Sequence, residues 1–400
     1  MRVAEPRPIK DFCLGIYDGP HATPREADDG PVFLGIKNIT DSGGLDLTEI
    51  RHVSEQEYPR WTRRVVPQAG DVVFTYEATL HRYAIIPEDF RGCLGRRVAL
   101  VRPDPERADS RYLLYYFLSQ AWRRVVESNV ITGATVDRVP LERFPDFPAS
   151  LPELRLQTRI ADILSAYDDL IEDNRRRMAL LEEAARQLYR EWFVRLRFPG
   201  HEHTRITNGL PEGWERKTLG DLCEEVRETV KPESLDSDTP YIGLQHMPRR
   251  SISLSEWGMA TEVTSSKHRF REGEILFGKI RPYFHKVGVA LVDGIASSDA
   301  IVIRPNDVKQ RGFVLMTVSS DPFVAVTAQT MREGSKMPRA DWMQMQAYPT
   351  PLPPDGLLGS FESAIQSVVE QLKLLTFANQ KLRAARDLLL PRLMSGEIAV

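Results

Sequence analysis

The chain has 400 residues, with 53 Lys and Arg against 56 Asp and Glu, for a formal net charge of −3. With 42% hydrophobic and 27% charged residues it has an ordinary globular composition and length enough for two or three domains. No apolar run approaches the roughly 18 residues of a membrane helix, and the first residues lack the apolar core of a secretory leader. Cys13, Cys93 and Cys223 are dispersed and form no CxxC, which supports neither a zinc ribbon nor a disulfide framework. A cytoplasmic protein with reduced thiols is expected. The near-zero charge argues against a binder that holds nucleic acid by bulk field alone.

In chain order, short runs rich in Val, Ile, Phe and Tyr, broken by Gly, Pro and Asp, read as strands at 72–76 and 98–102. Residues 112–126 read as a helix. Residues 154–193 contain neither Pro nor Gly, and their apolar residues recur at heptad spacing. The seam is read as Ile160, Ile163, Tyr167, Leu170, Asn174, Leu181, Ala184 and Leu188, with Arg177 its weak position. A Pro/Gly-flanked polar stretch around His201-Glu202-His203 reads as a linker rather than a metal site. Strands follow at 275–277 and 300–303, then a helix at 312–318. A second long helix carries Ile365, Val368, Leu372, Leu375, Asn379, Leu382 and Leu389. It is preceded by Pro351, Pro353 and Pro354 and ended by Pro391 and Gly396. Heptads of this length point to a coiled coil, the alternative being a long helix packed on a globular core. Asn174 and Asn379 each interrupt an apolar seam, where a polar residue can set register.

Self-comparison shows a tandem repeat. Asp11-Phe12-Cys13 matches Asp221-Leu222-Cys223, Leu34-Gly35-Ile36 matches Ile242-Gly243-Leu244, and Gly70-Asp71-Val72-Val73-Phe74 matches Gly273-Glu274-Ile275-Leu276-Phe277. Residues 97–103 match 299–305, and residues 111–119 match 312–320. Gly133 falls on Gly334 and Pro152 on Pro353. The offset drifts one way, from 210 to 201, as loop insertions would make it. The organisation is globule, helix, globule, helix: 1–150, 151–198, 199–351 and 352–400. The fold class is α+β, with two globular domains each followed by a long helix, and the two helices pairing as an antiparallel coiled coil. About 38 helical residues at ~1.5 Å each span nearly 60 Å. Such a spacer would suit a bipartite target, because B-DNA presents one face every 34–36 Å.

Searches for catalytic motifs are negative. Gly273–Lys279 resembles a phosphate-binding loop, but Ile280 replaces the required Ser or Thr, and Arg281-Pro282 does not open a helix. No GxSxG, HExxH or strand-borne GxGxxG is present.

Several segments resemble the specificity subunit of type I restriction-modification systems, the HsdS family. Leu210-Pro211-Glu212-Gly213-Trp214 followed by Thr218-Leu219-Gly220-Asp221-Leu222 resembles the opening of a target-recognition domain, and Gly273–Phe277 with Ser298-Asp299-Ala300 its central strands. Gln157–Asp168 resembles the start of the family's conserved helix and Arg386–Ile398 its C-terminal end. The first half lacks the Leu-Pro-x-Gly-Trp opening and starts near Ile9-Lys10-Asp11. The resemblance implies a non-catalytic DNA-recognition subunit. Each target-recognition domain would read one half of a split, asymmetric site in double-stranded DNA, and the antiparallel helices would set the gap. Two modification (HsdM) subunits would methylate adenine with S-adenosylmethionine, and restriction (HsdR) subunits would add ATP- and Mg²⁺-dependent translocation and cleavage. This chain would hold none of these cofactors, and it carries no Asn-Pro-Pro-Tyr or Asp-Pro-Pro-Tyr motif. A rival reading is a two-module coiled-coil scaffold that binds proteins instead of DNA.

Phosphate contacts need Lys or Arg, and base contacts need donors and acceptors that reach a groove edge. The run Lys279-Ile280-Arg281-Pro282-Tyr283-Phe284-His285-Lys286 follows a strand, mixes cations with aromatics and contains no acid. Lys279, Arg281, Tyr283, His285 and Lys286 are therefore the first candidates, with Tyr76, Thr79 and Arg82 in the equivalent stretch. Gln245, His246, Arg249 and Arg250 form a second group, opposite Lys37 and Asn38. Lys267 and Arg269 form a third, matched loosely by Arg63 and Arg64. Lys336 and Arg339 follow Gly334, and Arg138 follows Gly133. Tyr189, Trp192 and Phe193 are expected to pack against the next module.

Overall fold

Four consecutive apolar residues can form a strand only if both of its faces are covered. The computed structural model, which describes residues 5–133, 136–329 and 338–400, shows this twice. The chain divides into two units, Met1–Ile171 with Lys381–Val400, and Glu172–Gln380.

In the first unit an antiparallel sheet runs in the order Cys13–Asp18, Val98–Pro103, Val72–Thr75, Tyr83–Ile85. Val72 and Phe74 point to a core of Tyr112, Phe117, Trp122 and Phe144, while Val73 points the other way, to Leu34, Ile39 and Leu94. A second sheet, Arg51–His52, Ala27–Leu34, Gly92–Leu94, covers that other face, its last two strands parallel. The second unit repeats the plan with the order Cys223–Val226, Ala300–Pro305, Ile275–Gly278, Val287–Ala290, Ser253–Leu254. Ile275 and Phe277 face the helices, and Leu276 faces Ile242, Phe270 and Ala296. An opening strand pairs with a closing one in both units, Arg7–Pro8 with Pro148–Ala149 and Glu215–Thr218 with Pro349–Leu352.

The repeat extends to buried charge. Gly70 (φ 86°) and Gly273 (φ 83°) make the left-handed turn into the central strand. The acid that follows each is buried against an arginine of the neighbouring strand: Asp71 accepts from Arg102 Nε and Nη2, both at 2.8 Å, and Glu274 accepts from Arg304 Nε at 2.5 Å. Gly273–Lys279 therefore turns into a strand rather than a helix, and its resemblance to a phosphate-binding loop ends there.

Residues 112–126 are not one helix. Ser110–Leu118 and Gln120–Glu127 meet at an extended Ser119 (ψ 154°), whose hydroxyl donates to Tyr116 O at 2.6 Å and accepts from Trp122 N. A serine N-cap favours this break over a continuous helix.

The long helices are Leu154–Tyr189, which continues as a π-helical turn over Arg190–Val194, and Asp355–Met394. Each contributes one end to each unit. Pro391 does not end the second helix, which continues to Met394; the stop comes at Gly396 (φ 72°). In the first unit, Ile160, Ala161 and Leu164 share a core with Leu393, with Ile163 and Leu389 at its margin. Arg386 there forms an ion pair with Asp168, which also accepts from the Tyr115 hydroxyl at 2.6 Å. In the second unit, Met178, Leu181, Ala185 and Leu188 meet Leu358, Phe361, Ile365, Val368 and Leu372. Asn174 Nδ2 donates to Asn379 Oδ1 at 2.8 Å, both residues buried, while the Phe193 ring lies 4.7 Å from that of Phe361. Inside this unit the two helix segments therefore run in opposite directions.

The seam is shifted from its expected register. Leu170 is 52% exposed, and Ile171, 4% exposed, takes its place. Leu164 and Ala185 are buried, Met178 half-buried, and Tyr167, Leu375 and Leu382 half-buried. Ile163-Leu164 and Leu170-Ile171 are adjacent apolar pairs, so apolar pattern alone cannot choose between their members.

Candidate nucleic-acid interface

In the second unit the loop after the central strand, 279–286, is held from two sides. Arg281 N donates to Pro338 O at 2.9 Å, Ala340 N to Lys279 O at 2.8 Å, and Ile280 bridges Arg339. On the other side Lys286 Nζ donates to Leu244 O at 2.5 Å and Arg250 N to His285 O at 2.9 Å. Three separated stretches, around 245–250, 279–286 and 338–340, thus meet in one patch. The Arg249 guanidinium lies 4.3 Å and that of Arg281 5.7 Å from the centroid of the Phe284 ring. Tyr283 is 53% exposed.

The first unit builds the same patch. Glu77 bridges Arg138, Ala78 N donates to Asp137 O at 3.1 Å, and Val139 N to Tyr76 O at 2.7 Å. Arg82 Nη1 donates to Ile36 O at 3.4 Å, the position that Lys286 fills opposite Leu244. Ala78 (φ 69°) and His81 (φ 63°) are left-handed, as are Arg281 (φ 50°) and His285 (φ 55°) at matching positions. Non-glycine residues in this region are strained, and paired strain at equivalent loop positions is typical of functional loops.

Residues 35–183 match the family model of the type I restriction modification DNA specificity domain. The MjaIX specificity subunit of Methanocaldococcus jannaschii is 22% identical over 367 residues, 88% of this chain and 82% of that protein. Residues 35–183 thus resemble a type I restriction-modification DNA specificity domain, and the chain as a whole is similar to type I specificity subunits. The EcoDI specificity subunit of Escherichia coli is 22% identical over 267 residues, 60% of this chain and 59% of that protein. The solved S subunit of the M. genitalium type I system superposes with a TM-score of 0.53 at 15% identity, covering 97% of this chain and 95% of that one, and shares its fold.

Several side chains expected to face DNA serve the fold instead. Asn38 is buried. It accepts from Gly35 N at 3.1 Å and donates to Asp46 O and Glu49 O at 2.9 and 3.1 Å, so its amide is spent on its own turn. His246, at the matching position, accepts from Gly243 N at 3.1 Å through Nδ1, which leaves Nε2 to carry the ring proton. His285 is buried, with Nε2 2.7 Å from Ser319 O, and burial holds its imidazole below the ordinary value. Lys267 is buried and donates to Ser265 O and Oγ. Tyr76 is buried, and burial raises its phenol pKa. Lys279 and Lys286 are half-buried, and desolvation lowers both ammonium pKa values. These lysines anchor the loop more than they project from it.

Other candidate arginines are paired with acids. Arg250 lies 2.9 Å from Asp321, Arg339 3.3 Å from Asp299, Arg269 3.3 Å from Glu228, and Arg64 beside Asp18. Lys37 stands 3.8 Å from Glu49. Gln245, Arg63 and Arg138 are exposed, as are Arg249 and Arg281. Thr79 is half-buried. Lys336 lies outside the described residues.

Two contributors carried no sequence signal. Arg97 is left-handed (φ 72°), accepts Tyr76 N at 3.2 Å and places its guanidinium 2.9 Å from Glu77, so it shapes the first unit's loop. Glu182, on the first long helix, is buried against the 251–253 segment. Tyr189, Trp192 and Phe193 pack with Phe313 and Phe361. Among the described residues no cluster of three His, Cys, Asp or Glu could hold a metal, and no helix is long and apolar enough to cross a membrane.

Proposed function

We propose that this chain is the non-catalytic, sequence-reading subunit of a type I restriction-modification complex, each unit reading one half of a bipartite, asymmetric DNA site. The observation that carries this reading is the loop patch built twice on one backbone plan with different side chains at its rim: Glu77, Ala78 and Thr79 in one unit, Ile280, Arg281 and Tyr283 in the other. Conserved geometry with changed chemistry suits two readers of different bases. Exposed Gln245, Arg249 and Arg281 supply donors and acceptors suited to base edges, and Arg63, Lys37 and Arg138 suit phosphates.

The long helices would pair as an antiparallel coiled coil that sets the gap between half-sites. Two modification subunits would dock on the helical regions, where Leu170, Leu180, Leu374 and Leu388 are exposed. Restriction subunits would join that assembly. S-adenosylmethionine, ATP and Mg²⁺ would belong to the partners. With a net charge of −3 and Arg250 and Arg339 of the patch paired to acids, the isolated chain should bind DNA weakly, and the partners would close around the duplex.

The test is to replace residues 1–150 by the same region of a relative, in a host carrying the complete operon, and to read the methylated sites genome-wide. One half-site should change and the other persist. A change in both halves would refute the modular reading. Inserting one heptad into either long helix should alter only the gap.

A further inference from the structure

Buried carboxylates are costly unless saturated with donors. Glu182 is 5% exposed, and its carboxylate accepts four hydrogen bonds: from Ser251 Oγ at 2.6 Å, Ser253 Oγ at 2.9 Å, Ile252 N at 3.2 Å and Arg186 Nη2 at 2.9 Å. The same Arg186 Nη2 donates to Arg250 O. One turn of the first long helix therefore grips the backbone and hydroxyls of residues 250–253.

That segment is the continuation of the candidate interface. Arg249, whose guanidinium lies over Phe284, immediately precedes it. Arg250 is left-handed (φ 56°), donates its N–H to His285 O and ion-pairs with Asp321. A shift of residues 250–253 would move Arg249 relative to Phe284 and loosen the 279–286 loop at His285.

The first unit builds the corresponding loop differently. At the offset of 208 that aligns Gly35 with Gly243, Gly43, Gly44 and Leu45 fall opposite 251–253, without hydroxyls. Their loop closes on itself, with Thr40 N donating to Gly44 O at 2.9 Å and Gly44 N to Thr40 Oγ1 at 2.9 Å.

We infer that Glu182 is a positioning residue for base reading by the second unit alone, fixing the Arg249–Phe284 contact to the helix that carries it. The inference rests on the DNA-reading function proposed above. It makes the two half-sites unequal in their dependence on the helix: one reader is clamped to it, while the other is set by its own loop.

The experiment reconstitutes the complex with its modification subunits, selects bound duplexes from a randomised DNA library and reads base preference position by position. Wild type should yield a bipartite site. Glu182→Gln keeps the size but turns one acceptor into a donor facing donors. It should relax preference at one half-site by about tenfold, the discrimination of one good base contact, and leave the other half-site and the salt dependence unchanged. The S251A/S253A double variant, which removes the donors from the opposite side, should relax the same half-site. Unchanged preference in both variants, or equal relaxation of both half-sites, overturns the inference. A wild-type complex with no bipartite preference overturns the DNA reading beneath it and the inference with it.

Discussion

The two units keep the residues that bend the chain and change those that leave it. Both enter the central strand through a left-handed glycine, bury an acid against an arginine, and hold two left-handed residues in the following loop. At the rim, one has a threonine and a small residue where the other has an arginine and tyrosine. A loop held by backbone hydrogen bonds to two neighbours can change its outward chemistry without losing its path, and duplication followed by divergence of reading then follows naturally.

That comparison can be broken at three places, beginning with the buried ion pairs. Asp71 is 2% exposed and Arg102 21%, whereas Arg304 beside Glu274 is 36% exposed. Removing the acid leaves a partly buried guanidinium without its partner. Asp71→Ala should cost the first unit about 3–4 kcal/mol, and Glu274→Ala should cost the second about 2 kcal/mol because Arg304 can rehydrate. Urea titration followed by hydrogen exchange in each unit's central strand would measure both. Equal losses would mean that exposure does not set the difference.

The helix contacts differ as well. Asn379→Leu leaves the Asn174 amide buried without a partner and should cost about 1–3 kcal/mol, while N174L/N379L together should lie within about 1 kcal/mol of wild type or above it. A double-mutant cycle tests this. In the first unit the corresponding contact is the Asp168–Arg386 ion pair, with Asp168 35% exposed, so added salt should weaken it and leave the asparagine pair unaffected.

The smallest effect concerns protons. Burial lowers the imidazole pKa of His268 and His285 in the second unit and of His81 in the first. With the folded value below the ordinary ~6.5, the neutral ring stabilises the fold above that value. The unfolded chain takes up its proton first as the pH falls, so stability is lost on acidification, by at most about 1.4 kcal/mol per pH unit per histidine. Between pH 7.5 and 5.5 the second unit should lose more than the first, and His285→Gln should flatten its slope. An unchanged slope in thermal unfolding against pH would remove His285 from that account.

Much of the plan was legible from residue order alone. The repeat, the strands read at 72–76 and 275–277 and the two long helices stand out because buried strands and heptads leave periodic apolar marks. The break at Ser119 was not legible, since Tyr112–Val126 contains neither Pro nor Gly and only capping geometry divides it. Nor was the choice of Ile171 over Leu170, because neighbouring apolar residues satisfy the same pattern. For the interface, the cation–aromatic run 279–286 marked a loop that meets the 245–250 and 338–340 stretches, but not its division of labour. His285, Lys267 and Asn38 have the chemistry of DNA contacts and are spent on backbone carbonyls.

What the sequence determined by itself is therefore the duplicated architecture and the loops where the units differ, because both are written in local pattern. Only the tertiary structure decided which polar side chains remain outside, that Asn174 meets Asn379, and that Glu182 grips residues 251–253. Each of these depends on groups brought together from 69 to 205 positions apart, and the same side chain is a ligand group in water or a structural one when a buried carbonyl or hydroxyl takes its hydrogen bond.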